Sequence, residues 1–157
     1  MSPAGLRLAT RCHMTDDQQP ELFPETGQRR SVRQEPLRVF LVEDNDDIVE
    51  VLAAECEEIE NVEVIGRSAS ADDAIERIIA SEPDVVLIDI QLRTGSGIDV
   101  IRALRRNTAM PGTVLLAMSN ALSDTVRGLC LAAGADDYFD KAMDYRKLLI
   151  RVADLAT

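Results

Sequence analysis

Asp84-Val85-Val86-Leu87-Ile88-Asp89 is an apolar, largely β-branched run that stops abruptly on a carboxylate, with the turn Gly95-Ser96-Gly97 close behind. A continuous run of this kind suits a strand buried on both faces, as in a parallel sheet covered by helices. Ligands of open α/β sheets bind beyond the carboxyl ends of the strands, and Asp89 stands at such an end. The plain alternative is a strand-capping carboxylate in a solvated loop. The rest of the chain decides between the two.

Working outward, strand and helix signals alternate from Leu37 on. Leu37–Val42 reads as a strand that ends on Glu43-Asp44-Asn45-Asp46-Asp47. A helix is predicted from about Asp46 to Ile59, with Ile48, Val51, Leu52 and Ala54 on its apolar face. Val62–Gly66 is a second strand, and Ser70 caps a helix carrying Ala74, Ile75, Ile78 and Ile79 that Pro83 closes. After the Asp84–Asp89 strand comes a helix over Gly97–Arg106 bearing Ile98, Val100, Ile101 and Leu104. Pro111-Gly112 turns into a strand over Thr113–Met118 that ends on Ser119-Asn120. A helix from about Leu122 to Ala133 stops at Gly134, a residue suited to a left-handed cap. Asp136–Phe139 is a short fifth strand, followed by Lys141 and a helix over Tyr145–Leu155. Five βα units joined by right-handed crossovers predict a flavodoxin-like, doubly wound (βα)5 sheet in the order 2-1-3-4-5.

Residues 1–36 lack this periodicity. Pro3, Pro20, Pro24 and Pro36 punctuate them, and the segment reads as an irregular, disordered tail ahead of a domain over 37–157. In the tail Arg7, Arg11, Arg29, Arg30 and Arg33 balance Asp16, Asp17, Glu21, Glu25 and Glu35, so the net charge of -11 belongs to the domain. That charge argues against binding nucleic acid or an anionic membrane, and 3% aromatic content without Trp argues against a base-stacking surface. No apolar run is long enough to span a membrane, and no signal-peptide core opens the chain. Cys12, Cys56 and Cys130 form no CxxC pair, so a disulfide framework is not expected and the chain reads as cytoplasmic. The single histidine, His13, lies in the tail, which excludes a histidine-built metal site or a Ser-His-Asp triad.

In the 2-1-3-4-5 order the first and third strands are neighbours at the switch point, so Glu43, Asp44 and Asp89 are predicted to converge. Three carboxylates so close repel unless a cation sits among them, and hard oxygen donors with room for water suit Mg²⁺. Phosphate of a flavin or nucleotide would be repelled by Glu43-Asp44-Asn45-Asp46-Asp47, and Gly95-x-Gly97 is too short for a dinucleotide fingerprint.

Four separated motifs now stand in order: Val42-Glu43-Asp44; Leu87-Ile88-Asp89-Ile90-Gln91-Leu92 with Gly97; Ala117-Met118-Ser119; and Gly134-Ala135-Asp136-Asp137-Tyr138-Phe139-Asp140-Lys141. With them, residues 37–155 resemble a response-regulator receiver domain (CheY-like) of two-component and phosphorelay systems, and Phe139-Asp140-Lys141 with Ser119-Asn120 resemble a stand-alone receiver subgroup without a DNA-binding output domain. The resemblance implies that Asp89 accepts a phosphoryl group from a histidine kinase or histidine phosphotransfer protein. It implies that Asp44, Asp89 and the backbone carbonyl of Gln91 ligate Mg²⁺, with Glu43 acting through water. Lys141 would neutralise charge on the phosphoryl oxygens, and Ser119 would hydrogen-bond one of them. Ser119 and Tyr138 would form the switch, and output would pass through the fourth helix, fifth strand and fifth helix to a target protein or a second copy. Such a domain catalyses its own phosphorylation and dephosphorylation without being a turnover enzyme.

Three positions depart from the family pattern: Asn120 where Ala or Gly is usual, and Arg93 and Ala142 where proline is common. The bond before Ala142 is expected to be trans, with a different loop path. Two other classes remain open. One is a phosphorylation-independent interaction module. The other is a phosphatase-like hydrolase, for which Gln91 lacks the acid a leaving group needs.

Overall fold

The computed structural model describes residues 33–120 and 123–157. The tail over 1–32, with Cys12 and His13, and the expected helix start at Leu122 lie outside the described residues.

Five strands and five helices alternate: β1 (Leu37–Val42), α1 (Asp46–Glu57), β2 (Val62–Ser68), α2 (Ala71–Ser81), β3 (Val85–Asp89), α3 (Gly97–Arg106), β4 (Val114–Ser119), α4 (Asp124–Ala133), β5 (Asp137–Asp140) and α5 (Tyr145–Leu155). The strands form one parallel sheet in the order β2-β1-β3-β4-β5, the flavodoxin-like order expected. β3 is buried along its whole length, as an uninterrupted apolar run at the centre of a covered sheet requires.

Alternation along the strands divides the core in two. Val85 and Leu87, with Leu37, Val39, Leu41, Leu116 and Met118, pack under α1 and α5. Val86 and Ile88, with Phe40, Val42, Leu115 and Ala117, pack under α2, α3 and α4. Each helix lays one apolar stripe on the sheet. For α1 that stripe differs in part from expectation: Leu52 is buried as expected and is joined by Val49 and Cys56, whereas Val51 is 54% exposed and Ala54 also faces solvent. Apolar residues at 48, 51 and 54 fit helical spacing as well as those at 49, 52 and 56. The choice is made by how Asn45 starts the helix, its Oδ1 accepting from the amides of Asp47 and Ile48.

Helix ends follow local chemistry. Ser96 caps α3 through Ile98 N–H, and Ser123 caps α4 through Val126 N–H. Gly134 ends α4 at φ 114°, as a left-handed cap should. Ser70 stands at the N-cap of α2 without a side-chain bond to it. Pro36 precedes β1 directly, and residues 33–36 are irregular but held: Arg33 pairs with Asp84 at 3.1 Å, and Asn61 Nδ2 donates to the Arg33 carbonyl at 3.3 Å. Both described thiols are buried, and burial next to Glu55 and Glu57 pushes the Cys56 pKa up to about 12, so it behaves as a small hydrophobe. No described helix is long and apolar enough to cross a membrane.

Candidate functional site

β1 and β3 are hydrogen-bonded neighbours, so their carboxyl ends deliver Glu43, Asp44 and Asp89 to one spot. Among the described residues these three form the one group of three or more potential metal ligands in which each residue offers a carboxylate oxygen within 4.8 Å of the others'. Glu43 and Asp89 are each only 3% exposed, while Asp44 stands half-buried at the rim. The convergence read from strand order is therefore observed.

Every carboxylate is oriented by a backbone amide. Glu43 Oε1 accepts from Asn45 N–H at 3.1 Å, and Asp89 Oδ1 accepts from Gln91 N–H at 3.0 Å. Asp44 Oδ2 accepts from Arg93 N–H at 2.8 Å, with Arg93 Nε 3.5 Å away. A proline at 93 would lack that N–H, so this departure from the family pattern supplies a donor to the site. Behind Asp89 the backbone of α3 approaches very closely. A Cβ on Gly97 would lie 2.2 Å from the Asp89 carbonyl oxygen, so any other residue there has to displace backbone.

Lys141 reaches the cluster from the end of β5. Its Nζ lies 2.9 Å from Asp89 Oδ2 and also pairs with Glu43 Oε2. Its backbone N–H donates to the Ser119 carbonyl at 2.9 Å, tying the ends of β5 and β4 together. Burial alone would depress the Lys141 pKa, but Glu43 and Asp89 more than reverse this and hold it above the usual lysine value. Burial raises Glu43, the negative charge of Asp89 raises it further, and Lys141 offsets only part of the rise. The ammonium is thus fixed in its charged form beside Asp89.

Ser119 is fully buried at the tip of β4, paired in register with Asp140. Tyr138 sits opposite Ala117 and packs against the core under α2, α3 and α4. It also lines a polar cavity of about 230 Å³ with Ser123, Arg127 and Asp144. On the other side a cleft of about 390 Å³ runs between α1 and α5 to Lys141, lined by Ile48, Val51, Asn120 and Tyr145 among others. The peptide bond before Ala142 is trans, as expected. Two features of the site were missed in the sequence: the Arg93 amide on Asp44, and Asp140, a carboxylate only 2% exposed next to Lys141. The absence of proline at 93 was the available signal for the first. For Asp140, the aspartate at 144 was the sole hint.

The donor set fits a hard divalent cation: three carboxylates within reach of one another, half-open to water at Asp44. Fold and pocket together define a flavodoxin-like α/β protein with an acidic, lysine-capped site at its topological switch point. Residues 39–153 match the family profile described as the response regulator receiver domain, and the chain belongs to that family. It is similar to the receiver domain of the putative response regulator NarL from Mycobacterium tuberculosis, at 26% identity and TM-score 0.70, covering 78% of this chain and 97% of that one. It is also similar to the BeF3-activated N-terminal receiver domain of Klebsiella pneumoniae RstA, at 29% identity and TM-score 0.65, covering 73% and 94%. The response regulator domain of Thermotoga maritima CheB shares the fold at 20% identity and TM-score 0.67, covering 78% and 94%. Receiver domains of two-component systems bind Mg²⁺ at such a pocket, interact with kinases or phosphotransfer proteins, and are generally not turnover enzymes.

Proposed function

We propose that this chain is a phosphorylation switch in which Asp89 accepts a phosphoryl group from the phosphohistidine of a kinase or phosphotransfer protein. The observation that carries the reading is the position of Asp89: a buried carboxylate at a strand tip, with the Lys141 ammonium 2.9 Å from one oxygen and Glu43 and Asp44 beside it. An Asp89 oxygen attacks phosphorus, the N–P bond breaks, and the histidine nitrogen keeps the electron pair. Asp44, Asp89 and the Gln91 carbonyl would hold Mg²⁺, with Glu43 acting through water. The ion, when bound, supplies charge neutralisation for the transferring oxygens. Lys141 would supply the same through its ammonium, 2.9 Å from Asp89 Oδ2, in a geometry already set before reaction. Ser119 would hydrogen-bond a phosphoryl oxygen after transfer, and Tyr138 would respond by changing rotamer.

Output through α4, β5 and α5, to a cytoplasmic target protein or a second copy, is supported by apolar side chains exposed there: Leu129 and Leu131 on α4, Met143 before α5, and Ile150 on it. Incubation with Mg²⁺ and a small phosphodonor should add one acid-stable, base-labile phosphoryl group to the wild type and none to Asp89→Asn. A second reading, a phosphorylation-independent interaction module, draws on Arg93 and Lys141, which already compensate much of the cluster's charge. Wild-type protein that stays unmodified both with the phosphodonor and with its kinase would favour that module.

A further inference from the structure

Asp140 is a buried carboxylate that the chemistry above does not use. A carboxylate buried one residue before Lys141 is costly unless its hydrogen bonds compensate. They are specific. Asp140 Oδ1 accepts from the amides of Ala142 and Met143, both at 2.8 Å. The Asp140 N–H donates to Asp144 Oδ2 at 3.2 Å, and its carbonyl accepts from Asp144 N–H at 2.8 Å. The two aspartates therefore close a reciprocal ring around residues 141–143. Lys147 Nζ, 2.8 Å from Asp144 Oδ1, helps to keep Asp144 ionised and accepting. Lys141 is the first residue inside the ring, and its N–H is held from the opposite side by Ser119. Ala142 contributes an N–H that a proline would lack, so this loop is locked by charge-assisted bonds to backbone amides.

We propose that Asp140, closed onto Asp144, is the positioning residue for Lys141: it fixes the backbone from which the ammonium reaches Asp89. It touches neither the phosphoryl group nor the metal. The inference rests on the reading of Asp89 as acceptor for its functional consequence, but not for its geometric one.

The chain has two lysines, Lys141 and Lys147, so lysine-selective labelling gives two side-chain NMR signals that Lys147→Arg assigns. That signal and the initial rate of Asp89 phosphorylation are read for wild type, Asp140→Asn, Asp140→Ala and Asp144→Ala. Asp140→Asn keeps an acceptor oxygen and should stay close to wild type in both. Asp140→Ala should move the Lys141 signal toward that of a solvated lysine and slow phosphorylation roughly tenfold, with Mg²⁺ affinity nearly unchanged. Asp144→Ala opens the other half of the ring and should shift both in the same direction, which decides the matter if Asp140→Ala does not fold. A Lys141 signal that stays at its wild-type position in both alanine variants, or Asn and Ala variants that behave alike, overturns the proposal. Should the wild type take up no phosphoryl group, the Asp89 reading fails while the Lys141 signal still decides this one.

Discussion

Lys141 carries its charge between two carboxylates that are themselves buried, and this fixes the sign of a pH effect. Its folded pKa lies above the ordinary lysine value of 10.5 because Glu43 and Asp89 outweigh the burial that opposes them. A raised folded pKa means that the native state holds the proton more tightly than the unfolded chain. The stabilisation is fully present below about pH 10.5 and is lost as pH rises through the higher folded value. Urea unfolding of wild type and Lys141→Met should show a gap that is constant near neutrality and narrows above pH 10.5. A gap that does not change with pH would contradict the pairing. The acidic cluster and its lysine were legible because Glu43, Asp44, Asp89 and Lys141 all lie at the carboxyl ends of strands, which the sheet order brings together. Asp140 and the Arg93 amide were not legible. Whether a polar group beside a loop is buried depends on the loop's path, which no periodicity encodes.

Two elements carry their own tests. On α1 the buried stripe is Val49, Leu52 and Cys56. Leu52→Ala should cost about 2–5 kcal/mol of unfolding free energy. Val51→Ala, on the exposed side, should stay within about 0.5 kcal/mol. Chemical denaturation of Val51→Ala separates this stripe from the face through Val51 that spacing alone allows. At the start of α3, Gly97→Ala places a Cβ against the Asp89 carbonyl and the Ile90 backbone, neither of which can swing aside. It should destabilise by about 1–3 kcal/mol and weaken Mg²⁺ binding, because the tip of β3 must move. Calorimetric titration of the folded variant reads the second effect. Strands were easier to read than helix faces, since a run buried on both sides needs no choice of face. For α1 the choice was left to Asn45 and to packing on the sheet.

At the scale of the whole molecule, five strands joined by four helical crossovers take the order 2-1-3-4-5, and it is the order that makes a pocket of otherwise scattered acids. The net charge of -11 adds long-range repulsion, so a divalent cation has both a local and a global reason to stabilise the fold. Mg²⁺ at a hundred times its Kd should add about 2.7 kcal/mol, seen as a rise in Tm that a chelator reverses. Asp44→Asn should lose most of that rise. The central claim, that Asp89 is the acceptor, is tested most directly by trapping the product. Protein treated with Mg²⁺ and a phosphodonor is reduced with borohydride, which converts an aspartyl phosphate to homoserine, and is then mapped by peptide mass spectrometry. The account predicts homoserine at position 89 and at no other aspartate; reduction at another carboxylate, or at none, would contradict it.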